Sequence, residues 1–226
     1  RQLPPRSIDL GIVFINSIIA TNFARRLGTG NITVYENAYT LHLAPILLIG
    51  TAISSAVFPH FNRSVARGKT DEFRREFLQV LRVMIWIAVP VVVISFFCRG
   101  YLARLIFSRN SRDIALVFGF LAGAIFFRTV YAIVARYFYA QKDTWTPLVD
   151  SLFAIVFFVV LVAQLSKPES YGIAGIALAE SLIAGIQLLV LTSIMVWRDH
   201  KLFDMKFIGG VGRIISITGF TVVTAF

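Results

Sequence analysis

Charged residues, acidic residues and cysteine are scarce in this sequence, and each scarcity excludes a class of protein. Only 15% of the 226 residues are charged, whereas 57% are hydrophobic and the mean hydropathy is +0.76, so there is too little polar surface for a water-soluble domain of this size. The single cysteine, Cys98, has no partner for an intrachain disulfide and cannot form a cysteine metal cluster. Acidic residues number 12 against 22 lysines and arginines, which gives a net charge of +10. The sequence therefore predicts a membrane protein with basic loops.

The excess of positive charge does not indicate a nucleic-acid partner. The lysines and arginines lie between apolar runs and form neither a continuous basic stripe nor a groove pattern interleaved with aromatic residues. Motifs for chemistry are also absent from the sequence, which contains no HExxH, no P-loop and no GxSxG, and the three histidines lie in separate segments. We therefore predict no enzyme activity, no metal site and no cofactor.

Long apolar runs are what the sequence has in abundance. A run of roughly 20 apolar residues crosses a bilayer core of about 30 Å. Such a segment must be helical in lipid, because unpaired backbone groups are costly there and these runs lack the alternation of a barrel strand. The prediction is an all-α, polytopic transmembrane helix bundle of six to seven spans. The predicted spans cover about residues 8–24, 34–58, 80–98, 114–135, 148–165, 172–196 and 207 to the end.

Prolines and small residues inside the apolar runs indicate how the helices pack. Pro45 and Pro90 each remove a helical hydrogen bond, so each is predicted to kink its helix, either as a hinge or cavity wall or as a simple accommodation of packing. The sixth run is rich in small residues, which let helices approach closely and favour a bundle interior. These small residues are Gly172, Ala174, Gly175, Ala177, Ala179, Ala184 and Gly185.

Charged stretches between the runs predict segments at the membrane surface. Residues 60–79 combine many charges with Phe73 and Phe77, which are one helical turn apart, so this stretch is predicted to be an amphipathic cytoplasmic helix. Residues 99–113 mix arginines with Leu105 and other apolar residues and are a second candidate for the interface. With seven alternating spans, fourteen lysines and arginines fall on the side of the N-terminus and seven on the other side. The positive-inside rule therefore places the N-terminus in the cytoplasm.

The ends of the sequence predict a piece of a longer chain. The sequence begins with Arg1 and stops at Phe226 within an apolar run, although a processed or incompletely sequenced protein is an alternative. Residues 1–200 are predicted to form a six-helix transmembrane domain, and residues 201–226 a loop and the start of a further, truncated transmembrane helix.

Polar residues at membrane depth are the candidate substrate-cavity residues, because a charge at a helix centre costs about 2.5–3.5 kcal/mol on insertion scales. Glu36, Asn37 and Thr40 share one face of the second span, as a water-filled cavity wall requires, although Glu36 at the helix end among the headgroups is the alternative. Arg128 and Glu180 either pair or contribute separately to a polar path. The full set of candidates is Asn16, Asn22, Arg25, Arg26, Glu36, Asn37, Thr40, His42, Arg128 and Glu180.

Three of these candidates have structural alternatives. Asn16 and Asn22, in the first span, either face the same cavity or join helices by hydrogen bonds. His42 is either a proton relay or a hydrogen-bonded packing residue, and packing is the commoner use of such a histidine.

Short motifs in three of the spans carry a family resemblance. They are PR at 5–6, INSIIAT at 15–21, LGTG at 27–30, AP at 44–45, GTAISSAVFP at 50–59 and RYFYAQKDTWTP at 136–147. Together they resemble the MurJ/MviN family of lipid II flippases, within the multidrug/oligosaccharidyl-lipid/polysaccharide exporter superfamily. The resemblance covers about residues 5–200.

The resemblance implies a fold and an activity. In that family two six-helix lobes face each other around a central cavity, and this chain looks like the second lobe plus the start of the following helix, with its N-terminus in the cytoplasm. The family implies alternating access, in which a cationic cavity opens first to the cytoplasm and then outward. The implied substrate is a lipid-linked disaccharide-peptide, whose pyrophosphate needs basic side chains when it leaves water. The implied partners are this precursor, membrane lipids and the missing first lobe, and the implied location is the bacterial cytoplasmic membrane.

The sequence departs from the family pattern in the second span. Many members carry a Tyr-Ala-Asp-Arg-Leu stretch there, and alignment on Pro45 and Pro59 puts Tyr39 at the acidic position and Thr40 at the arginine. The resemblance then implies that positive charge comes from the first lobe or from other basic residues of this one. Those residues are Arg25, Arg26 and Arg128.

Two other functions remain open. A drug/cation antiporter of the same superfamily would use Glu36 and Glu180, whereas a non-transporting scaffold would recruit cell-wall enzymes without moving a substrate. Six further spans upstream would favour the transporters, and a fused soluble domain would favour the scaffold.

Overall fold

The computed structural model describes residues 3–167 and 169–200 and, beyond these, residues 202, 209, 210, 212, 213 and 216; of residues 3–14 it describes the backbone alone. This part of the chain is helical and contains no strand. Its elements are α1 (Leu3–Arg26), α2 (Asn31–Pro45), a π-helical segment (Ile46–Thr51), α3 (Ala52–Ala66), α4 (Thr70–Phe97), α5 (Arg99–Ile106), α6 (Ser111–Ala140), α7 (Trp145–Leu165) and α8 (Ile173–Arg198).

Five helical stretches are long and apolar enough to cross a membrane, and they confirm the second to sixth predicted spans. The first predicted span lies in the 24-residue α1, whose crossing of the membrane stays a prediction. The seventh, from residue 207 onward, lies outside the described residues except for isolated positions. The chain is therefore a multi-pass helical membrane bundle. The five stretches are Asn31–Ala66, Thr70–Phe97, Ser111–Ala140, Trp145–Leu165 and Ile173–Arg198.

Because successive spans alternate in direction, the loops collect at two ends of the bundle. We call one the Gly28 end, where Gly30 and Arg109 line a common cavity. The other is the Asp143 end, where Asp143 forms an ion pair with Arg198. The loops of the Gly28 end are 27–30, 107–110 and 166–172, and those of the Asp143 end are 67–69, 141–144 and 199–200.

The central helix of the bundle is α6. It packs most extensively against α8 and also against α2, α4 and α5. Its buried side chains run along its whole length, from Ile114 to Ala140. By contrast, α4 and α7 carry large apolar side chains that are exposed, such as Trp86 (64%) and Phe153 (62%), as helices facing lipid do. The interior of the bundle is therefore the α6–α8 contact.

The second span changes its helical type in the middle. Pro45 has no N–H to donate to a preceding carbonyl, and the π-helical segment follows it directly. Within this segment Gly50 lies close to α6, where an added Cβ would be 3.0 Å from Thr129 Cα. The change of helical type agrees with the predicted kink at Pro45, whereas α4 continues through Pro90 as one helix.

Residues 60–79 do not form the single surface helix that the sequence predicts, because the chain turns between α3 and α4. Phe73 and Phe77 are only 2% and 0% exposed. They pack against Phe61 and against Tyr137 of α6, with the Phe73 and Tyr137 ring centres 5.3 Å apart. The aromatic pair faces the bundle because α6 lies on that side, so the amphipathic pattern marks the adjoining ends of two spans.

Candidate functional site

The main polar feature inside the bundle is a charge pair between α6 and α8. Arg128 Nη2 donates to Glu180 Oε1 at 2.7 Å, and Nη1 donates to Gln187 Oε1 at 2.9 Å. The Glu180 and Arg128 side chains are 5% and 23% exposed. Glu180 and Gln187 lie about two turns apart on one face of α8, so both reach the same guanidinium. Of the two alternatives predicted for Arg128 and Glu180, the structure shows the pair.

Aromatic residues of α2 lie beside this pair. The rings of Tyr39 and His42 have centres 4.9 Å apart, and both side chains lie within electrostatic range of Glu180 and Arg128. His42 is 1% exposed; its Nδ1 lies 3.2 Å from the Tyr39 carbonyl oxygen, and within the described residues its Nε2 has no hydrogen-bond partner. His42 is therefore packed in the interior, next to the charge pair. Tyr39 is half-buried and lies within range of the same pair.

Polar side chains of α1 and α2 form an exposed face. Thr21 Oγ1 donates to Glu36 Oε1 at 3.0 Å, which joins the two helices, and Thr40 Oγ1 donates to the Glu36 carbonyl oxygen at 2.8 Å. Asn22 Nδ2 donates to the Ile18 carbonyl oxygen at 2.9 Å. A cavity of about 380 Å³ lies along the α1 side. We call this surface the α1–α2 face and define it by Ser17, Thr21, Asn22, Arg25, Glu36 and Thr40.

Three predicted residues lie outside both groups. Asn16 has a buried Oδ1 that makes no hydrogen bond to the described residues. Arg26 is exposed, with its guanidinium 5.4 Å from the ring centre of Phe23. Asn37 lines a cavity at the Gly28 end instead of the α1–α2 face. The structure thus brings Glu36 and Thr40 together, as predicted, but turns Asn37 away from them.

The sequence pattern did not single out Asp150, a carboxylate of α7 that is only 5% exposed. It lines a cavity of about 310 Å³ together with Trp145 and Arg198. An acidic residue within an apolar run is costly in the membrane, so its position in the fifth predicted span could have identified it. In the described part of the chain, no three His, Cys, Asp or Glu side chains lie close enough together to hold a metal ion.

A charged cluster joins α7 to α8 at the Asp143 end. Asp143 Oδ1 accepts the N–H groups of Trp145 at 3.1 Å and Thr146 at 3.0 Å, and so caps α7. Asp143 Oδ2 accepts the Thr146 hydroxyl at 2.6 Å and pairs with Arg198, which also donates to Thr146 Oγ1 at 2.9 Å. Partial burial opposes ionisation, but the hydrogen bonds from Thr146 and Arg198 outweigh it and lower the pKa of Asp143. This part of the 136–147 motif therefore has a structural role.

The fold and these polar groups define a class of protein. Long apolar helices around a buried charge pair, with a polar face along two of them, are typical of one bundle of a multi-pass membrane transporter. The family model described as lipid II flippase MurJ matches residues 1–225 of the chain. The chain belongs to the MurJ family of lipid II flippases.

The chain matches only part of longer relatives. The probable lipid II flippase MurJ of Rhizobium meliloti is 25% identical over an alignment of 219 positions that covers 93% of this chain and 40% of the relative. The lipid II flippase MurJ of Burkholderia cenocepacia is 27% identical over an alignment of 176 positions that covers 74% of this chain and 32% of that protein. The chain therefore spans about 40% of the length of the first of these relatives.

Two solved structures share the fold. Lipid II flippase MurJ in an inward closed conformation has a TM-score of 0.81 at 19% identity, covering 97% of this chain and 46% of that one. A MOP superfamily transporter from Pyrococcus furiosus, described as having a binding pocket of reverse polarity, has a TM-score of 0.78 at 11% identity, covering 96% of this chain and 50% of that one. The chain thus has the fold of about half of each transporter.

Proposed function

We propose that this chain is one lobe of a flippase that moves a lipid-linked peptidoglycan precursor, of the lipid II type, across the bacterial cytoplasmic membrane by alternating access. The observation that carries the proposal is the family match over residues 1–225. Because the chain covers 46% of the solved MurJ chain, a first lobe would supply the opposite wall of the cavity. The partners in this proposal are the lipid-linked precursor, membrane lipids and that first lobe.

The α1–α2 face is proposed as this lobe's wall of the cavity. A pyrophosphate that leaves water needs cationic hydrogen-bond donors, because an uncompensated anion is costly to bury. The charge of Arg128 is compensated by Glu180, so it contributes little to an anion site. Arg25, which belongs to the face and lines its cavity, and Arg26, which is exposed and follows it in α1, are the stronger candidates.

The proposed orientation puts the Asp143 end in the cytoplasm. It is supported by the excess of lysines and arginines on that side and by the positive-inside rule. In this orientation the Gly28 end is periplasmic, so Arg25 and Arg26 lie at the periplasmic end of the α1–α2 face.

Complementation of a flippase-depleted bacterium by the complete gene tests the proposal. The wild-type gene should restore growth, and Arg25→Ala combined with Arg26→Ala should reduce it. The matched control is Arg63→Ala with Arg67→Ala, which removes two exposed charges at the Asp143 end. A well-expressed wild type that fails to complement would overturn the function, whereas full growth of the Arg25 and Arg26 variant would overturn only the assigned face.

Exposure of Glu36 favours the antiporter as the second candidate function. Among the described residues its side chain accepts one hydrogen bond, from Thr21, whereas Glu180 is already paired with Arg128. Glu36→Gln removes the negative charge but keeps an oxygen that can accept from Thr21. An antiporter should lose drug resistance with this variant, whereas a flippase should still complement, because an anionic substrate does not use that negative charge. A non-transporting scaffold would complement without moving lipid II in reconstituted vesicles.

A further inference from the structure

A separate cavity of about 720 Å³ lies at the Gly28 end, between the end of α4, α5 and the start of α6. Its volume is within the usual range for ligand sites. None of the residues that define the α1–α2 face lines it. The residues that give it its character are Phe96, Phe97, Arg99, Arg104, Arg112 and Leu116.

The three arginines of this cavity leave most of their hydrogen-bond donors available. Arg99 Nη1 donates to the Phe96 carbonyl oxygen at 2.8 Å, and its guanidinium lies 4.4 Å from the centre of the Phe96 ring. The side chain also crosses Gly119, where an added Cβ would be 2.8 Å from Arg99 Cδ. In the part of the chain that the structure describes, Arg99, Arg104 and Arg112 form no salt bridge. Three positive charges around one cavity favour an anionic ligand.

Exposed apolar side chains lie in and next to the cavity. Leu116 (49% exposed) and Phe96 (41%) line it, and Tyr101 (78%) and Leu105 (84%) belong to α5, which supplies Arg99 and Arg104 to it. These residues lie at the ends of spans or in the short helix α5, which is the depth where aromatic rings and arginines meet lipid headgroups. A ligand that satisfies both the arginines and these apolar side chains combines an anionic group with hydrocarbon chains.

We propose that this cavity binds the phosphate headgroup of an anionic membrane phospholipid, with the acyl chains lying against the exposed side chains of α4 and α5. Arginine suits a phosphate because its planar guanidinium can donate two parallel hydrogen bonds. Basic cavities between membrane helices take lipid headgroups in the same way. With the Asp143 end in the cytoplasm, the lipid would come from the outer leaflet.

Native mass spectrometry of the full-length protein, titrated with phosphatidylglycerol, tests the site. Replacing all three residues (Arg99→Gln, Arg104→Gln, Arg112→Gln) should weaken binding on the order of 100-fold, because each basic residue near an anionic lipid contributes roughly fivefold. A second variant, Gly100→Glu, keeps the arginines and adds a carboxylate where no atom lies within 4 Å of the new Cβ. It should weaken binding as well, while phosphatidylcholine binding should not change.

The matched control removes the same charge from the Asp143 end through Arg63→Gln, Arg67→Gln and Arg75→Gln, and it should bind phosphatidylglycerol as the wild type does. Equal weakening in both triple variants would overturn the site in favour of general surface charge. Displacement of the lipid by millimolar glycerol phosphate would overturn the lipid source in favour of a soluble anion. Unchanged phosphatidylglycerol binding both in Gly100→Glu and in the triple variant of Arg99, Arg104 and Arg112 would overturn the proposal outright. Because binding needs no transport, these outcomes are independent of the flippase assay.

Discussion

Inside the bundle, Arg128 and Glu180 neutralise each other at a depth where either charge alone would be costly. Glu180 is almost fully buried, and Gln187 gives the guanidinium a second acceptor. Breaking a buried pair leaves the remaining charge uncompensated, which costs more than the pair contributes. We therefore expect this pair to hold α6 to α8 instead of binding substrate.

Glu180→Gln should lower the free energy of unfolding by on the order of 3 kcal/mol, because it leaves Arg128 buried without its counter-charge. Thermal unfolding of the purified protein in detergent measures this. The double variant Arg128→Met with Glu180→Leu should recover most of the loss. A double variant that is no more stable than Glu180→Gln would contradict the argument.

Asp143 should make stability depend on acid pH. Its pKa is lowered in the folded protein, so the unfolded chain binds the proton more tightly. The stability that Asp143 contributes is therefore present above its unfolded pKa and is lost as the pH falls through its folded pKa. Unfolding temperatures between about pH 7 and about pH 3 should show this loss, and Asp143→Asn should show a smaller one. An identical pH dependence in both proteins would contradict it.

At the scale of residues, the sequence predicted which polar side chains matter only through the free-energy cost of placing a charge in the membrane. That cost identified Arg128 and Glu180, but their pairing depends on how α6 and α8 are rotated against each other, which periodicity does not give. Asn37 lines a different cavity from the Glu36 face because adjacent residues of a helix point about 100° apart, which the prediction of a shared face did not take into account. Asp150 escaped notice because it lies near the beginning of an apolar run, where an acid also suits a helix end.

At the scale of helices, the small residues of α8 set how closely its neighbours approach. A Cβ at Gly175 would lie 1.9 Å from the Leu165 carbonyl oxygen, and one at Gly185 would lie 3.2 Å from the Phe127 ring. The prediction of close packing is confirmed at Gly175 and Gly185, whereas Gly172 precedes α8 and has open space around it. In a bilayer the lipid tails are as apolar as the side chains, so association of the helices depends on close packing of this kind.

Gly175→Ala should destabilise the bundle by about 2 kcal/mol or more, because the methyl group meets backbone atoms that cannot move aside easily. The matched control is Gly100→Ala in α5, where the added Cβ has open space and should leave stability unchanged or slightly higher. Thermal unfolding of the two variants side by side measures the difference. Equal unfolding temperatures would contradict the packing seen at Gly175.

Helix existence was predictable from the apolar runs, and helix ends were less so. The charges of residues 60–79 look like a surface helix because a turn between two spans has the same composition as one. Only the tertiary contact of Phe73 and Phe77 with α6 shows that they point inward. The π-helical segment was likewise beyond prediction, since Pro45 indicates a disturbance but not its form.

At the scale of the whole molecule, alternation of the spans separates the two sets of loops by the thickness of a membrane. The family match and the fold of about half of a solved MurJ agree with one lobe of the family that the sequence motifs indicated. Of the motifs that identified the family, 27–30 and the end of 136–147 lie at turns, whereas 15–21 lies within α1 and 50–59 within the second span. Which residues contact the substrate depends on how the other lobe faces this one, so the sequence of this lobe yields only candidate residues for the cavity wall.

Cysteine labelling in spheroplasts tests the proposed orientation, because loops at the two ends of the bundle should be accessible from opposite sides of the membrane. In the full-length protein with Cys98→Ser, Arg109→Cys at the Gly28 end should react with a membrane-impermeant maleimide. Arg67→Cys at the Asp143 end should react only after the membrane is permeabilised. The reverse pattern would contradict the orientation, and labelling of both from one side would contradict the crossing of α4.

The π-helical segment Ile46–Thr51 has a geometric consequence for the second span. A π-helical turn accommodates an extra residue, so the segment acts as an insertion that is absorbed locally. Were it to rewind as an α-helix with the same residues, everything before it would swivel by about 100° relative to everything after it. The six residues of this segment therefore determine which way the polar side chains near Glu36 face relative to the side chains that follow Thr51.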